Sequence, residues 1–446
     1  MANNDFIRHG DWIDKLDRNI FNFVEYPGFD YRYPTIEGTP VSYAEVREMR
    51  EASEKLYNIF AKTTKVFQRC SDSFIELMEI PPLMQKYLRA SNVLNMPTWL
   101  SRFDFVKTDN GLKMVEINAD TPCALVESYY ANGVFCAEAG KDNPNANCYE
   151  GLKNFLLNIF NSVYHPRIDL ASGRFTADHP FVFACFHDYI EDYGTTMFLK
   201  NAMEEAIGTL YPEGTVCFVS FYDLKVRDDG KILLPDGRTA GAIYRLHPME
   251  LLIEETADDG SSLGEAFMDG YVQGKFEMMN PPEAIIMQSK GFQALVWALS
   301  HSPSYSKVFT ADEIETINRY MLPTYFEQDF YAAVNESSPN KLFIRKPIWG
   351  REGKGIAVVD CRGNICQEKH PLDPEEIVAH ESKTNIYQDF VATESHKLLT
   401  DEGRIPGYYT WSCFMLGDRA SAVYTRFSPE QVAGTEAYWS PLYLED

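Results

Sequence analysis

Hydrophobic and polar residues alternate along this chain with two different periods, and each period predicts a different element. From Val41 to about Val93, apolar residues recur every three or four positions among good helix formers, as on the buried face of a helix. Similar spacing predicts helices at Ala124–Ala139 and Tyr149–Val163. From the pattern that starts at Val41, the chain before residue 95 is expected to be a helical region.

Short apolar runs predict strands in the middle of the chain. The runs "PFVFACF" and "VCFVSFYDL" flank a helical stretch near Gly194–Ala206. Strand, helix and strand in this order are typical of an α/β layer. The stretch "GKILLPDGRTAGAIYRL" predicts a hairpin followed by another strand.

The last third of the chain predicts one helix and several strands. "GFQALVWAL" has helical spacing, whereas "NIYQDFV" is typical of a strand that leads into a loop. "KLFIRKPIWGREGKGIAVVD" predicts two strands joined by a glycine loop, and "YYTWSCFMLGDRASAVYTRFS" predicts a long hairpin that turns at Gly417-Asp418. The pattern as a whole indicates an α+β or α/β fold.

Two neighbouring strands carry polar residues at alternate positions. Glu116 and Asn118 alternate with apolar residues in "KMVEIN", and Arg102 and Asp104 do so in "RFDFVK". Alternate side chains of a strand point to one face, so each strand presents its polar pair on one side. Asp120 and Thr121 follow the second strand and are expected to lie beyond its polar face.

The turn between these strands decides whether the two polar pairs meet. A three-residue loop of Asp109, Asn110 and a left-handed Gly111 would pair Thr108 with Leu112. A two-residue Asn-Gly turn is also favourable, and it would shift the register by one position and separate the polar pairs.

With the three-residue loop, the hairpin has one polar and one apolar face. Asp104 then faces Glu116 and Arg102 faces Asn118, since opposite residues share a face. The other face is expected to be core; it carries Phe103, Phe105, Val115 and Ile117.

Two facing carboxylates repel each other unless a cation lies between them. Oxygen ligands from Asp104, Glu116 and Asn118 suit Mg²⁺, which is commonly held by one or two carboxylates together with phosphate oxygens. The alternative is a hydrated outer face whose charge is balanced by Arg102.

The glycine loop "KPIWGREGKG" has the composition of a phosphate-binding flap. Glycines let backbone amides approach a phosphate, and Lys346, Arg351 and Lys354 add positive charge. Neither the Walker A pattern nor GxGxxG before a helix is present. The alternative is a basic hairpin tip whose glycines serve only the turn.

Composition narrows the class of protein. The chain has 446 residues, 45% hydrophobic and 14% aromatic content, and a formal net charge of −24. It is therefore expected to fold into two or three domains and to avoid nucleic acid and anionic membranes. Nine cysteines without a CxxC pair indicate a reducing environment. With neither a signal peptide nor a long apolar run visible, a cytoplasmic protein is expected.

Several motifs together resemble the glutathionylspermidine synthase family of ATP-grasp carboxylate–amine ligases. The resemblance starts near Ser101 and continues to the C-terminus. The motifs that carry it are "RFDF", "GLKMVEINADTP", "HDYIEDYGTTMFL", "YRLHPMELL", "SKGFQALVWAL", "KPIWGREGKG", "NIYQDFV" and "TWSCFMLGDRASAVYTR".

The resemblance implies roles for the polar hairpin and the acid end of the site. Asp104, Glu116 and Asn118 resemble the metal ligands, and Arg102 resembles the arginine that meets the reacting carboxylate. The residues implied to bind substrate are Thr121, Glu191 and Asp192. With this resemblance, Asp120 and Thr121 are expected at the end of the site that binds the acid. As an alternative, Glu191 and Asp192 are an acidic pair at a helix N-terminus.

The resemblance also implies an ATP site. Lys290 and Lys346 resemble the two phosphate-binding lysines, and Arg426 resembles an arginine near the phosphates. Gly350, Arg351, Gly353 and Gly355 belong to the mobile loop that covers the phosphates. The adenine is expected at the strand 385–391, in contact with Gln388 and the backbone of Phe390 and Val391.

The implied fold is a circularly permuted ATP-grasp fold, because the metal ligands precede the phosphate lysines. Its expected divisions are a helical region at 1–95, a pre-ATP-grasp and substrate-binding region at 96–285, and a nucleotide-binding region at 286–446 with a lid at about 325–385. About 100 residues precede Arg102, which leaves no room for the amidase of bifunctional members.

The implied activity is an ATP- and Mg²⁺-dependent ligase, with two Mg²⁺ ions, that joins a peptide-like acid to an amine or polyamine through an acyl phosphate. The ending "FSPEQVAGTEAYWSPLYLED" departs from that of shorter bacterial members, which puts the acceptor side in doubt. One alternative is an enzyme that forms the acyl phosphate but uses a different acceptor. Another is a nucleotide-binding protein without turnover.

Overall fold

The computed structural model describes residues 10–25, 31–90, 92–163, 177–257, 259–334, 339–351, 353–368, 384–434 and 436–445, and the backbone of two short strands between 168 and 175. Its α-helices are α1 (Tyr43–Phe67), α2 (Asp72–Glu76), α3 (Asn132–Ala139), α4 (Cys148–Val163), α5 (Ile190–Ile207), α6 (Met249–Leu252), α7 (Leu263–Val272), α8 (Ala284–Gln288), α9 (Lys290–His301), α10 (Ala311–Tyr320) and α11 (Glu327–Val334). A turn of π-helix at Glu127–Ala131 precedes α3. Short 3₁₀ helices lie at Ile13–Lys15, Pro82–Tyr87, Gly208–Leu210, Phe221–Asp223 and Ser306–Val308.

The strands are β1 (Thr39–Val41), β2 (Leu100–Thr108), β3 (Gly111–Asn118), β4 (Ile168–Asp169), β5 (Arg174–Phe175), β6 (Phe181–Cys185), β7 (Val216–Ser220), β8 (Lys225–Val226), β9 (Ile232–Leu233), β10 (Ala242–Arg245), β11 (Glu277–Met279), β12 (Thr324–Phe326), β13 (Phe343–Pro347), β14 (Ala357–Val359), β15 (Ile365–Glu368), β16 (Asn385–Asp389), β17 (His396–Thr400), β18 (Gly403–Leu416), β19 (Arg419–Ser428), β20 (Tyr438–Trp439) and β21 (Leu442–Leu444).

The N-terminal helical region packs against the sheet that carries the site. Helix α1 begins with a capping box, in which Ser42 accepts from the Glu45 amide and Glu45 accepts from the Ser42 amide. Its buried face, which includes Leu56 and Phe60, belongs to the same core as Phe103 of β2. The helical structure predicted from Val41 onward is thus observed from Tyr43, although α1 is followed by shorter helical turns. Among the described residues before Tyr43, the regular elements are a 3₁₀ helix and β1.

The main sheet joins distant parts of the chain. Its strand order is β20-β19-β18-β2-β3, with β17 beside β18. The long β18–β19 hairpin turns at Gly417-Asp418 as predicted, and β18 pairs with β2 so that Ser412 lies opposite Asp104. The C-terminal hairpin therefore lies beside the polar hairpin of the site.

The division of the chain into regions 1–95, 96–285 and 286–446 stays a prediction.

The predicted turn of the β2–β3 hairpin is wrong, but the predicted pairing at its polar end is correct. Thr108 pairs with Gly111, not with Leu112, so the loop is shorter than expected by one residue. A bulge at Val115 then shifts the register between Asp104 and Phe105.

The bulge restores the polar face. Asp104 pairs with Glu116 and Arg102 with Asn118. Val115 was expected in the core but lines the cavity described below, and Met114 is buried in the core instead.

A second sheet is wholly parallel and has the order β11-β10-β6-β7. Helix α5 connects β6 with β7, as the strand–helix–strand pattern predicts. The hairpin expected within "GKILLPDGRTAGAIYRL" is observed, because Leu233 forms an antiparallel bridge with Thr239. Strand β10 follows it and enters the parallel sheet, while β9 also pairs with the preceding β8.

The third sheet is antiparallel and has the order β12-β16-β13-β14-β15. The glycine loop connects β13 and β14, as predicted. Residues 335–338, 352 and 369–383 of the predicted lid lie outside the described residues. Within the described residues, no helix is both long and apolar enough to cross a membrane.

Candidate active site

The predicted site residues come together around one cavity of about 910 Å³. Its wall is built from the polar face of β2 and β3, the N-termini of α5 and α9, the glycine loop, and strands β13, β16 and β19. Apart from Gly355 and Asp120, the residues predicted for the site all line this cavity: Arg102, Asp104, Glu116, Asn118, Thr121, Glu191, Asp192, Lys290, Lys346, Gly350, Arg351, Gly353, Gln388, Phe390, Val391 and Arg426. The polar hairpin is thus the wall of a cavity and not a hydrated outer face.

Asp104 and Arg102 form a buried ion pair at one end of the cavity. Arg102 Nε and Nη2 donate to Asp104 Oδ1 and Oδ2 at 2.7 and 2.8 Å, and Arg102 Nη1 donates to the Cys123 carbonyl at 2.7 Å. Burial would raise the pKa of Asp104, but the Arg102 guanidinium outweighs it and holds that pKa below its usual value. Asp104 is therefore charged and firmly oriented.

Glu116 is balanced by a different cation. Lys290 Nζ lies 3.9 Å from Glu116 Oε2. Each of the two facing carboxylates lies beside a basic side chain of the protein, and their assignment as metal ligands stays a prediction. A third polar group completes this end, because Asn118 Nδ2 donates to Asp104 Oδ2 at 3.1 Å.

These oxygens fit a hard divalent cation. Asn118 uses its amino group on Asp104, which leaves its carbonyl oxygen as an acceptor, and Glu116 is only partly buried. Two carboxylates and an amide oxygen match the ligands that Mg²⁺ prefers. Among the described residues no three His, Cys, Asp or Glu side chains cluster as a metal site. The predicted ligands are a different kind of group, because the third one, Asn118, is an amide.

Two lysines approach the carboxylates, one from the start of α9 and one from β13. Lys290 begins α9 and donates to the carbonyl of Gly350 at 2.7 Å. Lys346 is buried on β13, where Nζ donates to Gln388 Oε1 at 2.8 Å and to the Val115 carbonyl at 3.3 Å. Burial lowers the pKa of Lys346 to about 8, against the opposing charge of Glu116.

The bulge and the lysine depend on each other. The bulged residue is left unpaired in the β-ladder, and Val115 offers its carbonyl to Lys346. Gln388 was expected to contact adenine, but its side chain holds Lys346 and also donates to Thr324 Oγ1 at 3.2 Å.

In the strand where adenine is expected, two backbone groups already form hydrogen bonds within the protein. The Phe390 amide donates to the Leu342 carbonyl at 3.1 Å, and the Val391 carbonyl accepts from Gln431 Nε2 at 2.7 Å. An adenine contact at these two atoms would have to replace or share those bonds.

The glycine loop is tied to both sides of the cavity. Arg351 forms an ion pair with Glu250 of α6, which belongs to the parallel-sheet region. Gly353 and Gly355 have φ of 74° and 71°, the left-handed conformation that glycine adopts without strain. Gly355 serves the shape of the loop while its neighbours Lys354 and Ile356 line the cavity.

Glu191 and Asp192 lie in the first turn of α5 and line the cavity. The helix dipole favours negative charge at this position. Burial raises the pKa of Asp192 to about 7, and the charge of Glu191 adds to this effect. Thr121 also lines the cavity.

Asp120 does not lie in the cavity wall, contrary to expectation. It forms an ion pair with Arg245, accepts from the Met249 amide at 2.9 Å, and is 2% exposed. Asp120 is therefore part of the support of the site and is not available to a substrate.

Sequence reasoning missed Tyr33, Tyr424 and Glu127. The two tyrosines line the cavity, and Tyr33 donates to Glu127. Alternation along β19 places Tyr424 on the same face as Arg426, which could have indicated it. Tyr33 lies far away in sequence within an irregular segment, and no local pattern marks it.

The fold and the cavity define an ATP-grasp-type synthetase. A glutathione synthetase-like effector from Globodera pallida superimposes with a TM-score of 0.56 over 98% of this chain and 95% of that chain, at 11% sequence identity. At that identity the likeness concerns the fold alone.

Residues 6–445 match the glutathionylspermidine synthase pre-ATP-grasp family, and the chain belongs to this family. It is also similar to a Haemophilus influenzae protein assigned as an acid–amine ligase, with 21% identity over 375 residues, 81% of this chain and 78% of that protein. The protein is thus an ATP-dependent ligase that forms C–N bonds. Its family implies the use of ATP and a divalent metal ion.

Proposed function

We propose that this enzyme joins the carboxylate of a peptide-like acid to an amine or polyamine through an acyl phosphate, using ATP and Mg²⁺. One observation carries the proposal: the Arg102–Asp104 pair, the Glu116–Asn118 pair and the two lysines line a single cavity. A carboxylate does not condense with an amine at neutral pH until it has been activated. The cavity holds groups for each part of that activation.

Lys290 and Lys346 are proposed to bind the ATP phosphates. Both are cationic side chains held at the cavity wall, and phosphoryl transfer depends chiefly on positioning and on neutralising charge. Lys290 now donates to the Gly350 carbonyl of the loop, a contact that a phosphate oxygen could replace. The glycine loop would cover the phosphates and keep water away from the acyl phosphate.

Asp104, Glu116 and Asn118 would hold Mg²⁺. When bound, this ion would reduce the charge on the phosphates. Binding requires Asp104 to share one oxygen between Arg102 and the metal, which its second lone pair permits. We propose that these three residues serve the metal site as a whole, which would hold the two ions that the resemblance implies.

Arg102 and Arg426 are proposed to bind the carboxylate that reacts. Arg426 is partly buried beside Tyr424 and Arg102. Its Nε atom is buried and has no hydrogen-bond partner in the part of the chain that the structure describes. A buried guanidinium with an unused donor favours an anion. Arg102 would meet the carboxylate first and then the oxyanion that forms when the amine attacks.

Glu191 and Asp192 are proposed to bind a cationic amine. They add two carboxyl groups to the lining of the cavity. A polyamine carries several positive charges, so it fits this end better than a neutral acceptor does.

ADP release by the purified protein with panels of acids and amines tests the proposal. Release that requires both an acid and an amine, with an amide product of the expected mass, supports the ligase. Release that requires only the acid supports acyl-phosphate formation with a different acceptor. Tight ATP binding without release for any pair would contradict the proposal and favour a nucleotide-binding protein.

A further inference from the structure

A buried carboxyl group lies behind the cavity and is connected to it by two tyrosines. Glu127 is fully buried, and its Oε1 accepts a hydrogen bond of 3.0 Å from Tyr33 Oη. Tyr33 Oη lies 2.9 Å from Tyr424 Oη, and both tyrosines line the cavity. These three groups form a continuous row from the cavity wall into the protein.

The local backbone is unusual where it carries Glu127. Glu127 begins the π-helical turn before α3, and Ala124, three residues earlier, has a φ of 74°. Single π turns occur frequently at functional sites, and a positive φ is uncommon for a residue other than glycine. The chain departs twice from regular helix in the segment that places this carboxyl group.

Glu127 lacks the partners that would keep a buried carboxylate charged. Within the described residues, its Oε2 has no hydrogen-bond partner. Burial raises the pKa of Glu127 to about 8, and the charge of Glu191 adds to this effect. The titratable and charged groups around it are Tyr33, Tyr424, Arg102, Glu191 and Cys123. The ionised form of Glu127 therefore has a high affinity for a proton.

The ligase reaction needs a proton acceptor at this end of the cavity. An aliphatic amine is protonated at neutral pH and has no lone pair for attack until it loses a proton. The proposed amine site and the two tyrosines line the same cavity, and the charge of Glu191 contributes, after burial, to the raised pKa of Glu127.

We propose that Glu127 accepts the proton of the ammonium substrate through Tyr424 and Tyr33; this inference rests on the ligase function proposed above. The ammonium nitrogen gives a proton to Tyr424 Oη, Tyr424 gives its own proton to Tyr33 Oη, and Tyr33 gives its proton to Glu127 Oε1. Glu127 does not touch the substrate and acts only through the tyrosines.

The neutral amine then attacks the carbonyl carbon of the acyl phosphate with its lone pair. The bond between that carbon and the phosphate oxygen breaks, and phosphate leaves with the electron pair and takes up the second nitrogen proton. Glu127 afterwards returns its proton to solvent along the same row of hydroxyl groups.

The test compares two nucleophiles in the variant Glu127→Gln. Glutamine still accepts the hydrogen bond of Tyr33 but cannot take up a proton. Spermidine is charged at neutral pH and needs deprotonation, whereas hydroxylamine is largely neutral and attacks acyl phosphates directly. With glutathione as the acid, we expect the spermidine-dependent rate to fall about 100-fold and the hydroxylamine-dependent rate to change less than about threefold.

The pH profile gives a second readout that a purely structural role would not change. The wild-type spermidine rate should rise with pH and level off above about 8, where Glu127 is ionised. In Glu127→Gln the rate should keep rising, because only amine that is already neutral in solution can react. Tyr33→Phe breaks the row and should show the same pattern, which keeps the test decisive if Glu127→Gln does not fold.

Glu283→Gln is the matched control. Glu283 is also a buried carboxyl group whose pKa is raised by burial, to about 7, but it lies outside the cavity wall, so both rates should stay at the wild-type level. Equal loss of both rates in Glu127→Gln and Tyr33→Phe would show a structural role and overturn the inference. An unchanged spermidine rate and pH profile would overturn it as well. Absence of ADP release by the wild type with either nucleophile would instead be a failure of the ligase proposal, and the inference would fall with it.

Discussion

Asp104 and Glu116 lie directly opposite each other in the β2–β3 hairpin, yet each is neutralised by a different basic residue. Asp104 is held by the buried Arg102, and Glu116 lies 3.9 Å from Lys290. Asp104 is therefore held more firmly by its basic partner than Glu116 is. We accordingly expect different results for variants of the two residues.

Glu116→Gln should remove metal-dependent turnover and leave the fold intact. Glu116 is partly exposed and its contact with Lys290 is long, so we expect the free energy of unfolding to change by less than about 1 kcal/mol. Loss of one charged ligand should raise the Mg²⁺ concentration for half-maximal activity at least tenfold, about 1.4 kcal/mol.

The measurement is a Mg²⁺ titration of ADP release. Glu48→Gln is the control, because Glu48 pairs with Arg319 at the surface. An unchanged Mg²⁺ dependence in Glu116→Gln would refute the metal assignment.

Asp104→Asn should destabilise the protein. It leaves Arg102 buried without its counter-charge, and breaking a buried pair typically costs about 3 kcal/mol or more. The pKa of Asp104 lies below its usual value, so the pair contributes stability above the unfolded pKa of about 3.9 and loses it as pH falls through the lower folded pKa.

Urea unfolding of both proteins over a range of pH measures this effect. The difference between wild type and Asp104→Asn should be large near neutral pH and should shrink in acid. A constant difference across the whole range would indicate that the charge of Asp104 is not responsible.

ATP binding should be coupled to proton uptake by Lys346. Burial lowers the pKa of Lys346 to about 8, so part of the population is neutral at that pH, and bound phosphates favour the charged form. Titration calorimetry at about pH 8 in buffers of different ionisation enthalpy should therefore show protons taken up with ATP.

Lys346→Met should bind ATP at least about tenfold more weakly and without that uptake. The exposed Lys225, changed to Met, is the control. Proton uptake that persists in Lys346→Met would place the titrating group elsewhere.

Asp192→Asn should weaken binding of a cationic amine only above neutral pH. Burial, assisted by Glu191, raises the pKa of Asp192 to about 7; the group is neutral below that pH and attracts a cation above it. We expect the KM for spermidine to rise about tenfold at alkaline pH and to match the wild type in mild acid. Asp223→Asn, an exposed change outside the cavity, should have no effect at either pH.

The sequence predicted the polar face of the hairpin by a route that was partly wrong. The side-chain alternation of β2 and β3 is local, so Arg102, Asp104, Glu116 and Asn118 could be grouped from it. The turn and the bulge could not be resolved, because several loop lengths suit "KTDNGLK", and the bulge is stabilised by Lys346 on a strand far away in sequence.

The tertiary contacts of the site were beyond sequence reasoning. Asp120 follows the strand in a position that suggests a substrate contact, but Arg245 of the parallel sheet holds it. The link from Tyr33 to Tyr424 joins positions 391 residues apart. Such pairs follow from packing between sheets and not from any local period.

Transfer of labelled oxygen from the acid to phosphate tests the central claim most directly. The acid, glutathione or the acid identified by the panel, is labelled with ¹⁸O in its carboxylate and incubated with ATP, Mg²⁺ and the amine. If the carboxylate is activated as an acyl phosphate, one ¹⁸O atom should appear in the released phosphate for each amide formed. Amide formation with unlabelled phosphate would contradict the account.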